Sequence, residues 1–412
     1  MHSFKIALAF AAVLPAVLAQ LSAKINRIQN EHTIAGSWVA RIEENELLEG
    51  VLSTVLDLAG IELKETYSVG GVKGFTFDGD DAILDIFENL GAIKSVEPDF
   101  KMWASVPVGF RTPTAGVFPF ANGTNGTLVS QQDSPWGLGR ISHREAGVEA
   151  YTYDSSAGED TYIYVIDTGI NTEHNDFGGR ATIGKSLIAS SDGEDDQGHG
   201  THCSGTAAGT TFGVAKKANL IGVKVLGADG SGSNSGVLRG IEWAVNDATE
   251  KGRMNRTVLS MSLGGPFSQT TNDAIQSAVE AGAFVSVAAG NEGEDASKSS
   301  PASAPQACTV GATTDRDAMA SFSNFGKLVD IFAPGEDIAS AWIGGATATN
   351  TISGTSMACP HIAGLAAYLI ALEGPRAPAA LCERIRELAT KDAITNSVRG
   401  SPNLIAYNGN GA

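Results

Sequence analysis

The sequence predicts an α/β protein in two parts: a small α/β sandwich over residues 20–104 and, over residues 134–412, a three-layer domain built on a parallel sheet. Three observations predict this. The runs TYIYVIDTG, ANLIGVKVL, RTVLSMSLGG, GAFVSVAAGN and KLVDIFAPG are continuously apolar instead of alternating, as strands buried on both faces must be. Segments of helical periodicity separate them, which puts helices above and below such a sheet. The 412 residues are 42% hydrophobic and include 49 glycines, so a large core and many tight turns are available.

From the N-terminus, MHSFKIALAFAAVLPAVLAQ sets Lys5 before an apolar run too short to span a bilayer and ending in small residues. It reads as a signal peptide over residues 1–19, cut after Ala19, so the chain enters the secretory pathway. Within residues 20–104, WVARI alternates like a strand and ELLEGVLSTVLDLAG has helical spacing. GVKGFTFDG is a second strand, DAILDIFENL a second helix and IKSVEPDFKMWA a third strand. Residues 105–133 are rich in Pro, Gly, Thr and Asn, lack periodicity and read as an exposed linker and maturation region. Sequons at Asn122, Asn125 and Asn255 are compatible with glycosylation.

The net charge of -18 argues against nucleic acid or an anionic membrane as partner. No later stretch has the length and apolarity of a membrane span. Four cysteines, Cys203, Cys308, Cys359 and Cys382, allow three full pairings, and the sequence by itself does not choose among them.

Four residues stand out for chemistry, each with an ordinary explanation when taken singly. Ser356 opens a helical run, where serine caps first turns. Asp167 ends the strand YIYVID, Asn291 follows a strand in a turn, and His199 sits among glycines in DDQGHGTHCSGTAAG. His199 and His202 alone make a poor metal site, and no catalytic metal is expected. The acidic run DGEDD at residues 192–196 reads as a solvated loop. Together the four change meaning. A serine hydroxyl attacks well only when a base takes its proton and a third group orients that base, and an amide donor then stabilises the oxyanion.

The blocks that hold these residues, DTG at 167–169, HGTHCSGT at 199–206 and GTSMACPH at 354–361, resemble the three signature blocks of the subtilase family. WGLGRIS, SFSNFG, WIGGAT and GLAAYL are similar to the fungal proteinase K group, and the likeness covers residues 136–410. It implies a subtilisin-like fold and a secreted serine endopeptidase of broad specificity that favours large apolar or aromatic residues before the cut. Ser356 is then the nucleophile, His199 the base, Asp167 its orienting group, and Asn291 with the Ser356 N–H the oxyanion hole. Substrate would lie between two edges, residues 230–234 (Gly230, Gly232, Asn234) and 260–264 (Ser260, Leu263, Gly264), above a pocket of Ala288, Ala289 and Gly290. Asn234 departs from relatives that carry an aromatic at the rim of a distant subsite.

The resemblance further implies a Cys308–Cys382 disulfide and a free Cys203 thiol beneath the histidine, with Cys359 as a small core residue. It also implies structural calcium on the Pro305 and Ala307 carbonyls and the Asp330 carboxylate. Residues 20–104, with VKGFTF and VEPDF, resemble an inhibitor-type, ferredoxin-like prodomain that aids folding, fills the cleft and is cut away by the enzyme itself. A monomer acting on proteins and peptides outside the cell, or in a fungal vacuole, is the expectation.

Overall fold

The computed structural model describes residues 23–59, 61–105, 122–125 and 127–411, so the expected signal peptide lies outside the described residues. Two compact units divide the chain, Met1–Asp99 and Phe100–Ala412. The last strand of the expected prodomain, Ile93–Ala104, begins in the first unit, and its residues from Phe100 belong to the second.

In the first unit, strand Thr33–Ile42, helix Leu48–Ala59, strands Glu62–Val69 and Val72–Asp78, helix Asp81–Phe87 and strand Ile93–Ala104 follow in the βαββαβ order of a ferredoxin-like fold. The sheet buries Trp38, Ala40, Ile42, Phe75 and Phe77 against Val51, Val55, Leu84 and Phe87 of the helices. Edge-to-face contacts join Phe87 to Phe75 and Phe77, with centroids 6.1 and 5.0 Å apart. The Glu62–Val69 strand escapes the apolar-run test because most of it is polar. Its signal is the Gly70-Gly71 pair between Val69 and Val72, with Gly70 at φ 55°, which suits a two-residue hairpin.

The second unit is built on a nine-stranded sheet among the described residues. Its order is Ala181–Ser186, Asn219–Lys224, Tyr162–Asp167, Thr257–Met261, Phe284–Ala288, Cys308–Thr313, Ile331–Pro334, Leu404–Ile405 and Thr390–Lys391, parallel except for the last pair. Chain order reverses between Tyr162–Asp167 and Thr257–Met261, and a crevice opens at the carboxyl ends of strands at such a switch point. Alternate residues of the Tyr162–Asp167 strand face opposite layers. Ile163 and Val165 join the core that holds Cys203, Met357 and Ile362, while Ile166 lies against Gly240 of helix Asn234–Glu250. Contrary to the expectation that no later stretch has the length and apolarity of a membrane span, helix Thr355–Glu373 has both, but it is buried along nearly its whole length as the central helix of this layer.

The structure corrects one reading of the chain's organisation. Residues 122–131 are not linker: Asn122–Asn125, Leu128–Gln131 and Tyr151–Asp154 form a three-stranded antiparallel sheet, and Gln131 is buried with its amide donating to the Thr211 carbonyl (3.1 Å). Strands of four residues are too short for a periodicity argument to detect. Asp330 immediately precedes strand Ile331–Pro334, and its amide donates to the Thr309 carbonyl. Of the sequons, Asn255 lies exposed in a short turn of helix.

Cys308 and Cys382 form a disulfide, Cα atoms 5.9 Å apart and 74 residues apart in sequence. It ties helix Pro378–Leu388 to the Cys308–Thr313 strand, and closing so long a loop contributes about 4 kcal/mol in the chain-entropy model.

Candidate active site

Asp167 is the last residue of the strand beside the switch point and has no exposure to solvent. A carboxylate so buried is costly unless hydrogen bonds meet it. Its Oδ1 accepts the Thr168 N–H and lies 2.7 Å from His199 Nδ1. His199 opens helix His199–Ala208 after Gly198, whose φ of 108° makes the sharp entry and whose Cα faces the Trp342 ring too closely for a side chain. Burial is the largest single influence and disfavours the imidazolium, but the charge and hydrogen bond of Asp167 together with the neighbouring Cys203 outweigh it, and His199 is held well above the usual histidine value. His202, one turn on, bonds the Ile338 carbonyl through Nε2, and burial pushes it down to about 3, a structural neutral imidazole.

Ser356 is the second residue of helix Thr355–Glu373, where backbone N–H groups lack intrahelical partners and the dipole favours negative charge. Proline at Pro360, four residues on, has no N–H to give the Ser356 carbonyl. That carbonyl instead takes Ser262 Oγ (2.9 Å) and Cys203 Sγ (3.4 Å). Ser356 Oγ in turn donates to the Ser262 carbonyl (2.9 Å), and no hydrogen bond joins it to His199 among the described residues. The serine is thus locked to the second substrate edge by a reciprocal pair of bonds. Cys203 lies under the histidine ring, 3.9 Å from Nδ1 and 4.0 Å from Nε2, and both free thiols are buried. Cys359 packs beside Ser286 Oγ (3.4 Å), and burial pushes its thiol up to about 11.

Asn291 follows Gly290, which has φ 103° and no room for a Cβ beside Asn324. Its Oδ1 is taken twice by Thr355, through N–H (2.8 Å) and Oγ1 (3.0 Å). This fixes which end of the amide is the donor. Nδ2 is buried and has no hydrogen-bond partner among the described residues. Ala288 and Ala289 are buried at the end of the adjacent strand.

Residues 101–105 of this unit run antiparallel between the two expected edges. Lys101, Met102 and Trp103 pair with Ser233, Gly232 and Ser231; Trp103 and Ala104 pair with Gly264 and Leu263. The Ala104 amide donates to Gly230 O (3.0 Å) and the Ser105 amide to Ser262 O (3.1 Å). At Gly232 a Cβ would strike the Val225 carbonyl. Ser260, expected among the substrate contacts, is instead buried in the Thr257–Met261 strand, near Cys359.

Asn234 also differs from expectation. It is fully buried, its Oδ1 accepting from Thr271 Oγ1 and its Nδ2 donating to Ser268 Oγ (3.5 Å), so it presents no side chain at a rim. The DGEDD run is not a solvated loop throughout. Asp195 is buried and accepts from the Thr168 hydroxyl, the Gln197, Gly198 and Thr201 N–H groups and the Thr201 hydroxyl. Asp196 pairs with the buried Lys224, whose ammonium also reaches the Thr168 carbonyl. These second partners, together with Ser262, Thr355 and Pro360, were missed. Only Pro360, a proline inside an apolar helical run, left a mark in the sequence.

The fold thus pairs His199 with the buried Asp167 and ties the helices of His199 and Ser356 together through Cys203. A model described as "Subtilase family" matches residues 158–411, and the chain belongs to the subtilase family. It is a serine protease of the subtilisin type. It is 46% identical over 373 residues to "Alkaline protease 1" of Emericella nidulans, covering 90% of this chain and 86% of that one. It is 54% identical over 282 residues to the "Cuticle-degrading protease" of Metarhizium anisopliae, covering 68% and 72%. A solved structure of "a cold adapted subtilisin-like serine proteinase" superposes with a TM-score of 0.63 at 40% identity, over 67% of this chain and 99% of that one.

Replacing Ser262 by alanine strands the Ser356 carbonyl with only the weak thiol donor. Denaturant unfolding of Ser262→Ala is expected to show a loss of about 1–3 kcal/mol, the usual consequence of a buried acceptor losing its partner.

Proposed function

We propose that this subtilase is a secreted endopeptidase, made as a zymogen, that cuts protein chains after large apolar or aromatic residues through Asp167, His199, Ser356 and Asn291. The observation that carries the reading is the Asn291 amide: one end is held by Thr355, and the other, buried and unpartnered, points a donor with nothing to bond. Ser356 Oγ turns from the Ser262 carbonyl to His199, gives up its proton and attacks the scissile carbonyl. The oxyanion forms between Asn291 Nδ2 and the Ser356 N–H, where one such donor contributes about 10²–10³ in rate. His199 protonates the leaving amine, and water then releases the acyl group by the same steps in reverse. The preference for a large side chain before the cut rests on the small residues Ala288, Ala289 and Gly290 as its pocket.

In the same reading residues 20–104 are folding aid and inhibitor, and the first self-cut falls between Ser105 and Val106. The Ser105 amide and Ser356 Oγ share one acceptor, Ser262 O, and this shared acceptor supports the assignment of Ser105 as the residue before the cut. Backbone register supports this cut more than the small Ser105 side chain does.

Calcium is the implied structural ion. The residues fit: burial pushes the Asp330 carboxyl up to about 6, and the Thr309 N–H (2.9 Å) is its one hydrogen bond among the described residues. Asp330 with the carbonyls of Pro305 and Ala307 would hold the ion by oxygen, as a hard cation requires, and the ion would neutralise the buried charge.

The reading is tested by expressing the full chain beside Ser356→Ala. Wild type is expected to release into the medium a shortened, endoglycosidase-sensitive form beginning at Val106, while the variant stays full length apart from its signal peptide; equal shortening of both would refute self-processing. For the ion, a chelator is expected to lower the Tm of wild type by several degrees and to leave Asp330→Asn nearly unmoved. An equal drop in both would remove Asp330 from the site.

A further inference from the structure

The two substrate edges are joined behind the cleft by a polar network that the mechanism does not use. Ser231–Ser233 ends in Ser233, which caps helix Asn234–Glu250 through the Gly236 N–H (3.0 Å), and Asn234 is that helix's first residue. Leu263–Pro266 leads to Ser268, which caps helix Gln269–Glu280 through the Thr271 N–H (3.0 Å). Thr271 Oγ1 donates to Asn234 Oδ1, so one side-chain bond spans from the end of the first edge to the end of the second. The second edge is anchored in turn: Gly265 and Pro266 pair with Ser300 and Ser299, the Ser300 hydroxyl receives the Ser268 N–H (3.0 Å), and it donates to Asn272 Oδ1 (2.9 Å). Asn234, Ser268, Thr271 and Ser300 have no solvent exposure.

An extended peptide pairs with both edges at once only if they stand about two strand spacings apart, roughly 9–10 Å. Residues 101–105 occupy that gap here, with Lys101 and Met102 at its far end, opposite Ser233 and Gly232. The Thr271–Asn234 bond lies at this far end, where the first edge passes into its helix. We infer that Thr271 is a positioning residue: through Asn234 it fixes the width of the cleft for the substrate residues that lie three or more places before the cut. This rests on the peptidase reading above. It follows that loss of the bond weakens the binding of long substrates and leaves short ones alone, since a single acyl residue at Ser356 touches only the Ser262 end.

The test compares acetyl-Phe methyl ester with the same ester extended by three alanines upstream, using mature enzyme produced from the full chain. Thr271→Val keeps the shape and removes the hydroxyl. Its KM for the extended ester is expected to rise about tenfold with kcat nearly constant, and its kinetics on the short ester to stay as in wild type. Thr271→Ser, which keeps the hydroxyl, should restore the wild-type KM, and Asn234→Leu should reproduce the selective rise from the other side. An unchanged KM in Thr271→Val overturns the inference. So does an equal loss on both esters, or failure of both Thr271→Val and Asn234→Leu to yield mature enzyme, because the bond would then serve the fold and not the cleft. Failure of wild type to cleave either ester would instead sink the peptidase reading.

Discussion

The rest of the structure depends on a carboxylate with no access to solvent, Asp167, at the end of the strand beside the switch point. A buried charge of this kind is tolerated only where hydrogen bonds and a countercharge converge on it. Here the convergence is supplied by the Thr168 N–H and the His199 imidazole. Holding Thr168 requires its own support, which comes from Asp195 on the hydroxyl and Lys224 on the carbonyl. The first residues of helix His199–Ala208 are pinned by the same Asp195 and by Gln197, so the histidine's place follows from how the carboxylate is satisfied.

A second constraint meets the first at the serine. Pro360 deprives the Ser356 carbonyl of its helical partner, and the gap is filled from outside the helix by Ser262 and Cys203, one from each neighbouring segment. The missing bond of one proline thereby couples three elements: the helix of Ser356, the segment of Ser262 and the helix of His199. A sulfur under the imidazole and a hydroxyl on the edge then serve as structural donors. Burial raises the Cys203 pKa and so suppresses that thiol's chemistry as a nucleophile.

Much of this was legible in the sequence, for physical reasons that differ between elements. Strands buried on both faces, such as Tyr162–Asp167 and Phe284–Ala288, must be continuously apolar and stand out as such. Ala181–Ser186 lies at the sheet's edge with Ile183 40% exposed, and its mixed composition hid it. The proposed reacting residues stood out because Asp167, His199 and Ser356 follow in one order with Asn291 between them. Their supports did not: Asp195 sits in an acidic run whose composition suggests solvent, and only the folded chain shows it receiving five hydrogen bonds. Asn234 failed in the opposite sense. Its position in sequence matched a subsite rim, while an amide can satisfy both ends inside the protein and an aromatic cannot, so the side chain turned inward to Thr271 and Ser268.

The central claim is that the Asp167 charge sets the protonation of His199, and the pH dependence of kcat/KM tests it directly. The base must be neutral, so activity appears as pH rises through the folded-state pKa of His199. With Asp167 ionised, that midpoint is expected above 6.5. In Asp167→Asn the burial, which lowers the pKa most strongly, is opposed only by Cys203, so the residual activity, smaller by orders of magnitude, should show its midpoint shifted to lower pH. A midpoint that stays in place or rises in the variant would contradict the account.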